Sequence, residues 1–118
     1  MFNLRKLLLS FKFAFEGIVH SIKTEQNIRF HLLATMVVMI AGLLTGLDKG
    51  EWIIIFILIG GMLSLELINT AIERVVDLVS PGWQPLAKQA KDAAAGAVLV
   101  FATISAIIGI LIFLPKWF

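Results

Sequence analysis

The chain has 118 residues, 59% of them apolar and only 15% charged, with a formal net charge of +2. That balance lies far outside a soluble domain and makes this an integral membrane protein, with length for one domain, 1–118, and none for a separate soluble catalytic module. The absence of cysteine excludes disulfides, thiolate nucleophiles and cysteine metal sites, and the scatter of basic residues among apolar ones argues against nucleic acid as a partner.

Residues 1–15 are apolar with a polar edge, Arg5, Lys12 and Glu16 at spacings of seven and four, which predicts an amphipathic helix lying in the membrane interface. A short connecting helix packed on the bundle is the alternative. Lys12 interrupts the apolar run and no small-residue cleavage site follows, so a removable signal peptide is not expected. Gly17 permits a bend into a polar stretch, Ile18 to Arg29. The first span is expected over about 30–47, followed by a polar turn through Gly46, Asp48, Gly50 and Glu51. The second, about 52–72, opens at the interfacial Trp52, and its helix continues to Val79, where Ser80-Pro81-Gly82 ends it. A third helix runs from Leu86 to Leu114, its span at about 93–114, with Pro115 as a stop and Trp117 as an interfacial anchor. The predicted fold class is therefore all-α: a surface helix plus three transmembrane helices.

A cytoplasmic N-terminus puts Arg5, Lys6, Lys12, Lys23, Arg29, Arg74, Lys88 and Lys91 on the inner side and only Lys49 and Lys116 outside. The positive-inside bias thus predicts a multi-pass cell-membrane protein with the N-terminus in the cytoplasm and the C-terminus outside.

The second helix carries the chain's anomaly. After the apolar run Trp52 to Leu65 come Glu66, Asn69, Thr70, Glu73 and Asp77, which at about 100° per residue share one arc of roughly 100°. A carboxylate at membrane depth costs about 2.5–3.5 kcal/mol on insertion scales, so this stripe needs protein, water or a cation as partner. Two other polar clusters fall on the same side of the membrane, Glu25 with Asn27 and Arg29, and Lys88 with Lys91 and Asp92. Carboxylates with an asparagine suit a hard, oxygen-seeking cation such as Mg²⁺, and lysines suit phosphates. The residues by themselves leave three readings open: a membrane kinase, a small ion-coupled transporter, and a noncatalytic scaffold in which Glu66, Glu73 and Asp77 pair with Arg29, Arg74 and Lys91. There is no glycine-rich phosphate loop; Gly42, Gly60, Gly61 and Gly96 read as close-packing positions. His20 and His31 lack zinc-ligand spacing and read as interfacial hydrogen bonders.

The string Glu66-x-x-Asn69-Thr70-Ala71-Ile72-Glu73-x-x-Val76-Asp77, with Lys91-Asp92 and a small-residue helix after it, resembles the prokaryotic diacylglycerol kinase family over nearly the whole chain. Glu25-x-Asn27-x-Arg29-x-His31 resembles the undecaprenol kinase branch of that family in Gram-positive bacteria. The resemblance implies a homotrimer with sites at subunit boundaries, ATP as phosphoryl donor, Mg²⁺ as cofactor, and undecaprenol as the lipid alcohol, with diacylglycerol as a second or even the main acceptor. It implies Glu66 as catalytic base supported by Asn69, and Glu25 and Glu73 as metal ligands that also meet the nucleotide. Lys91, Asp92, Gly82, Trp83 and Gln84 are implied near the nucleotide, and Asn27, Arg29, His31 and Glu66 near the lipid. Lys6 and Phe13 are implied as nucleotide contacts too, although the diacylglycerol kinases carry arginine and tyrosine there; Glu16 replaces a lysine.

Overall fold

The computed structural model describes every residue, Met1–Phe118, as four helices joined by short connections. They are α1 (Leu4–Thr24), α2 (Gln26–Thr45), α3 (Lys49–Val79) and α4 (Pro85–Trp117). The last three are each long and apolar enough to cross a membrane. At 1.5 Å per residue, α3 is about 46 Å long against a hydrocarbon thickness of roughly 30 Å, so the helix that carries the acids is too long to lie wholly in lipid.

The first helix is not interrupted at Gly17. It continues to Thr24, and Gly17 instead faces α3, where it lines a small cavity with Ser21, Thr70 and Arg74. The break comes at Glu25, whose backbone is extended (φ −111°, ψ 117°) and whose N–H donates to the Ser21 carbonyl at 2.8 Å. Arg29 stabilises this corner from α2: its guanidinium donates to the carbonyls of Ile22 and Lys23 at 3.0 and 2.9 Å. A cation satisfying the last carbonyls of a helix both fills orphan acceptors and complements the helix dipole.

Gly46 ends α2 in the left-handed region (φ 78°), and its N–H donates to the Gly42 carbonyl at 3.0 Å. Asp48 then starts α3 with a reciprocal cap. Its carboxylate accepts from the Glu51 N–H at 2.9 Å while the Glu51 carboxylate accepts from the Asp48 N–H at 3.1 Å.

The most extensive contact in the fold is between α3 and α4. Gly61 permits it, because the Phe101 ring occupies the space a side chain there would need. Gly42 does the same for α2 against α3: a Cβ would lie 2.7 Å from the Trp52 ring. Gly60 and Gly96 face open space, so their expected packing role is not met within one chain.

Away from the acidic stripe, a small core of Leu47, Ile55, Ile112 and Phe113 closes the bundle. That end is also tied by polar contacts, from the Trp117 indole N–H to Thr45 Oγ1 at 2.8 Å and from Lys116 to Glu51 at 3.0 Å. These contacts carry α4 past Pro115, which the sequence reads as a stop, to Trp117; the final turn closes with the Phe118 N–H on the Leu114 carbonyl at 3.0 Å. Only 11 of 118 residues are buried, and leucine, isoleucine, valine and phenylalanine cover the outside. Such a surface is stable where the surroundings are as apolar as the side chains.

Candidate active site

The acidic stripe of α3 is graded by depth. Glu66, Asn69 and Thr70 are buried, Glu73 is half-buried, and the Asp77 side chain is 61% exposed. Helical periodicity places all five on one face, and α1 and α2 lie against its Glu66–Thr70 end.

Each acid has a different partner. Glu66 faces His31 of α2, with Nε2 at 3.6 Å from Oε2. Glu73 accepts from Asn69 Nδ2 one turn earlier, at 3.3 Å. Asp77 pairs with Lys91 of α4. Glu25, at the α1–α2 corner, pairs with Arg74 at 3.5 Å, and the same guanidinium donates to Thr24 Oγ1 at 2.8 Å. Arg74 follows Glu73 directly, so this bridge brings the Glu25 corner beside the Glu73 turn of α3.

The pairing scheme differs from the scaffold alternative in every acid but Asp77. Arg29 serves the backbone of α1 instead of an acid, Arg74 serves Glu25, and Glu66 has an imidazole where a permanent cation was expected. Neither the pairing of Arg74 with Glu25 nor the contact between His31 and Glu66 is legible from spacing, since both depend on how α1 and α2 dock on α3. The arginine's position beside Glu73 is the only signal the sequence offers for it.

The remaining residues sit on the periphery. Lys6 and Phe13 are exposed on α1, and Asn27 is exposed at the start of α2. Gly82, Trp83 and Gln84 form the exposed connection before α4, where Ser80 Oγ donates to the Gly82 carbonyl at 3.2 Å. Gln84 stands at the N-cap position of α4 without a side-chain capping bond, and Pro85 occupies the first turn, where a missing N–H costs nothing. One turn into α4, Lys88 pairs with Asp92, an exposed contact of small energetic weight.

The donor set suits a hard cation. Asn69 Oδ1 is buried without a hydrogen-bond partner, and the amide's other end holds the Glu73 carboxylate. A buried carbonyl oxygen lacking a partner is costly unless something electropositive meets it. No group of three or more acidic or histidine side chains converges within one chain. A hard cation there would be held by one or two carboxylates and need further oxygen ligands from outside the chain. The arrangement does not fit a closed protein cage.

Comparison with known proteins bears on what the arrangement does. A family model described as prokaryotic diacylglycerol kinase matches residues 12–113. The undecaprenol kinase of Bacillus subtilis (strain 168) is 58% identical over 114 residues, which are 97% of this chain and 93% of that protein. A diacylglycerol kinase of Synechocystis sp. is 39% identical over 110 residues, covering 92% of this chain and 63% of that protein. The diacylglycerol kinase of Pseudomonas aeruginosa is 29% identical over 102 residues, covering 86% and 83% respectively.

Proposed function

The chain belongs to the prokaryotic diacylglycerol kinase family and is a membrane lipid kinase, and from that premise we propose that it transfers the γ-phosphate of ATP to the hydroxyl of undecaprenol at the cytoplasmic membrane surface. The higher identity to an undecaprenol kinase, 58% against 39% and 29% to diacylglycerol kinases, favours the polyprenol as main acceptor, with diacylglycerol as a second one.

The observation that carries this reading is the graded stripe. Seven residues, about 10.5 Å of helix, separate a buried Glu66 from a half-buried Glu73. One acid therefore addresses the lipid and the other the nucleotide. Glu66 acts as general base for the acceptor hydroxyl, and Asn27, Arg29 and His31 line the approach of the lipid headgroup. Asn69 fixes the Glu73 carboxylate through its amide N–H. Glu73 and Glu25 would hold Mg²⁺, and a bound ion would supply neutralisation of charge on the phosphates. Lys91 supplies a further positive charge to the phosphates, with Asp77 holding its ammonium in waiting. Lys6, Phe13, Asp92 and the Gly82-Trp83-Gln84 connection complete the nucleotide side. Phosphoryl transfer is largely positioning and charge neutralisation, so these groups suffice without a glycine-rich phosphate loop.

The protein is proposed to work as a homotrimer, with α1 lying as an amphipathic surface helix, the N-terminus in the cytoplasm and the C-terminus outside. The exposed apolar faces of α2, α3 and α4, and glycines that meet nothing within one chain, support neighbouring copies as the missing walls. Spans at about 30–47, 52–72 and 93–114 accompany this arrangement.

Side-by-side turnover of undecaprenol and a diacylglycerol in mixed micelles, with γ-labelled ATP and Mg²⁺, tests the assignment. A kcat/KM at least tenfold higher for the polyprenol is expected, about 1.4 kcal/mol of discrimination. A preference for diacylglycerol contradicts the assignment of the acceptor, and label in neither lipid contradicts the reaction.

A further inference from the structure

Arg74 of α3 takes no part in the chemistry assigned to the acidic stripe, yet it holds the end of α1. Its Nη2 donates to Thr24 Oγ1 at 2.8 Å and to Glu25 Oε1 at 3.5 Å. The Thr24 hydroxyl proton is committed to the His20 carbonyl at 2.8 Å, so that oxygen meets the guanidinium purely as an acceptor. Thr24 is the last residue of α1, and Glu25 is the extended residue after it. The Glu25 carboxylate therefore sits at a bend of the chain, where helix geometry does not fix it. Little else holds this corner against α3. Ser21 is the one buried residue of α1, and a cavity of about 430 Å³ opens between Ala14, Gly17 and Ile18 on one side and Leu67 and Ala71 on the other. Arg29, the other guanidinium at the corner, is engaged by the carbonyls of Ile22 and Lys23.

We propose that Arg74 is a positioning residue: it straps the α1–α2 corner to α3 through Thr24 and so keeps the Glu25 carboxylate beside Glu73, where the two can share one divalent cation. The inference rests on the kinase reading, in which Glu25 and Glu73 are the Mg²⁺ ligands, and adds the residue that sets one against the other. The two contacts of Arg74 are unequal. The Thr24 bond has ordinary hydrogen-bond length, whereas the Glu25 oxygen stands at the outer limit. A guanidinium with five N–H donors can keep Thr24 while the carboxylate turns to a metal. With no cation bound, its charge offsets that of Glu25. Ligands on separate elements must otherwise be brought together at the moment of binding, and groups that orient metal ligands typically contribute about 10–100-fold in affinity.

The test reads metal binding without turnover. Mn²⁺, a paramagnetic substitute that takes the same oxygen ligands, is titrated into the purified full chain with the β,γ-imido analogue of ATP and followed by electron paramagnetic resonance, with helical content checked for each variant. Arg74→Ala is expected to weaken Mn²⁺ binding about tenfold or more. Thr24→Val, which removes the acceptor and keeps the arginine, is expected to weaken it about threefold or more. In a Glu25→Gln background, Arg74→Ala is expected to add less than about twofold, because the arginine then has no ligand left to position. Mn²⁺ binding by Arg74→Ala that equals or exceeds that of wild type overturns the proposal, since the arginine would be a bystander or a competitor for Glu25. A loss that persists undiminished in the Glu25→Gln background overturns it too, since the arginine would then act independently of that carboxylate. If Arg74→Ala loses its helical content, Thr24→Val decides: wild-type Mn²⁺ binding in that variant overturns the strap. Transfer of label to lipid by the wild type is scored separately, and its absence overturns the kinase reading, whereas every outcome above is read with no phosphoryl transfer.

Discussion

At the scale of single residues, the two acids at the ends of the stripe have opposite surroundings, which predicts opposite sensitivities. Asp77 and Lys91 form a largely exposed pair, and pairs of that kind contribute roughly 0–1 kcal/mol. Asp77→Asn is therefore expected to change turnover by less than about fivefold, measured with saturating ATP. Lys91→Ala is expected to raise the KM for ATP about tenfold or more while leaving the KM for lipid unchanged, because only the nucleotide loses a partner. A Lys91 variant that shifts the lipid KM instead would place that lysine on the wrong substrate. The types and face of these residues were legible in the sequence, since a five-residue polar stripe on a helix follows from periodicity alone. Their partners were not. His31 against Glu66, and Arg74 against Glu25, arise from how α2 and α1 dock on α3, which one-dimensional spacing does not encode.

At the scale of elements, helix contacts depend on a few small residues. At Gly61 the Phe101 ring fills the missing side chain's volume, so Gly61→Leu is expected to separate α3 from α4 and cost about 1–3 kcal/mol, the usual price of overpacking. The measurement is the midpoint of unfolding in detergent; the same change at Gly60, which faces open space within the chain, is expected to leave the isolated subunit's packing unaltered. Asp48 gives the bundle a pH dependence at its other end. The hydrogen bond from the Glu51 N–H, chiefly, with the Glu51 side chain and the Lys116 charge adding to it, outweighs desolvation and holds the Asp48 carboxyl below its ordinary value of 3.8. A carboxyl lowered on folding contributes stability above its unfolded value and loses it as pH falls through the folded value. The thermal midpoint should therefore drop on acidification below the ordinary carboxylate range, and Asp48→Asn should flatten that part of the curve. Helix number and the turn chemistry at Gly46, Asp48 and Pro81 were readable in advance from local signals. The continuation of α1 through Gly17, and of α4 through Pro115, was not; at Pro115 the tertiary contacts at Thr45 and Glu51 outweigh the local preference.

At the scale of the whole molecule, the proposed trimer follows from how little one chain encloses. With 11 of 118 residues buried, it has almost no interior. Native mass spectrometry from detergent should find assemblies of three 13.0 kDa chains, and a population of monomers that retains full kinase turnover would contradict the trimer. Family membership removes the transporter and scaffold readings that the residues alone left open, and the proposed chemistry then turns on one buried carboxylate. The most direct measurement is turnover of undecaprenol by Glu66→Gln beside wild type, with ATP·Mg²⁺ binding measured on the same samples. Retained nucleotide binding with kcat lower by about 10²–10⁴-fold is the predicted result, the range a positioned acid–base group supplies. A Glu66→Gln enzyme that phosphorylates lipid at the wild-type rate would contradict the account.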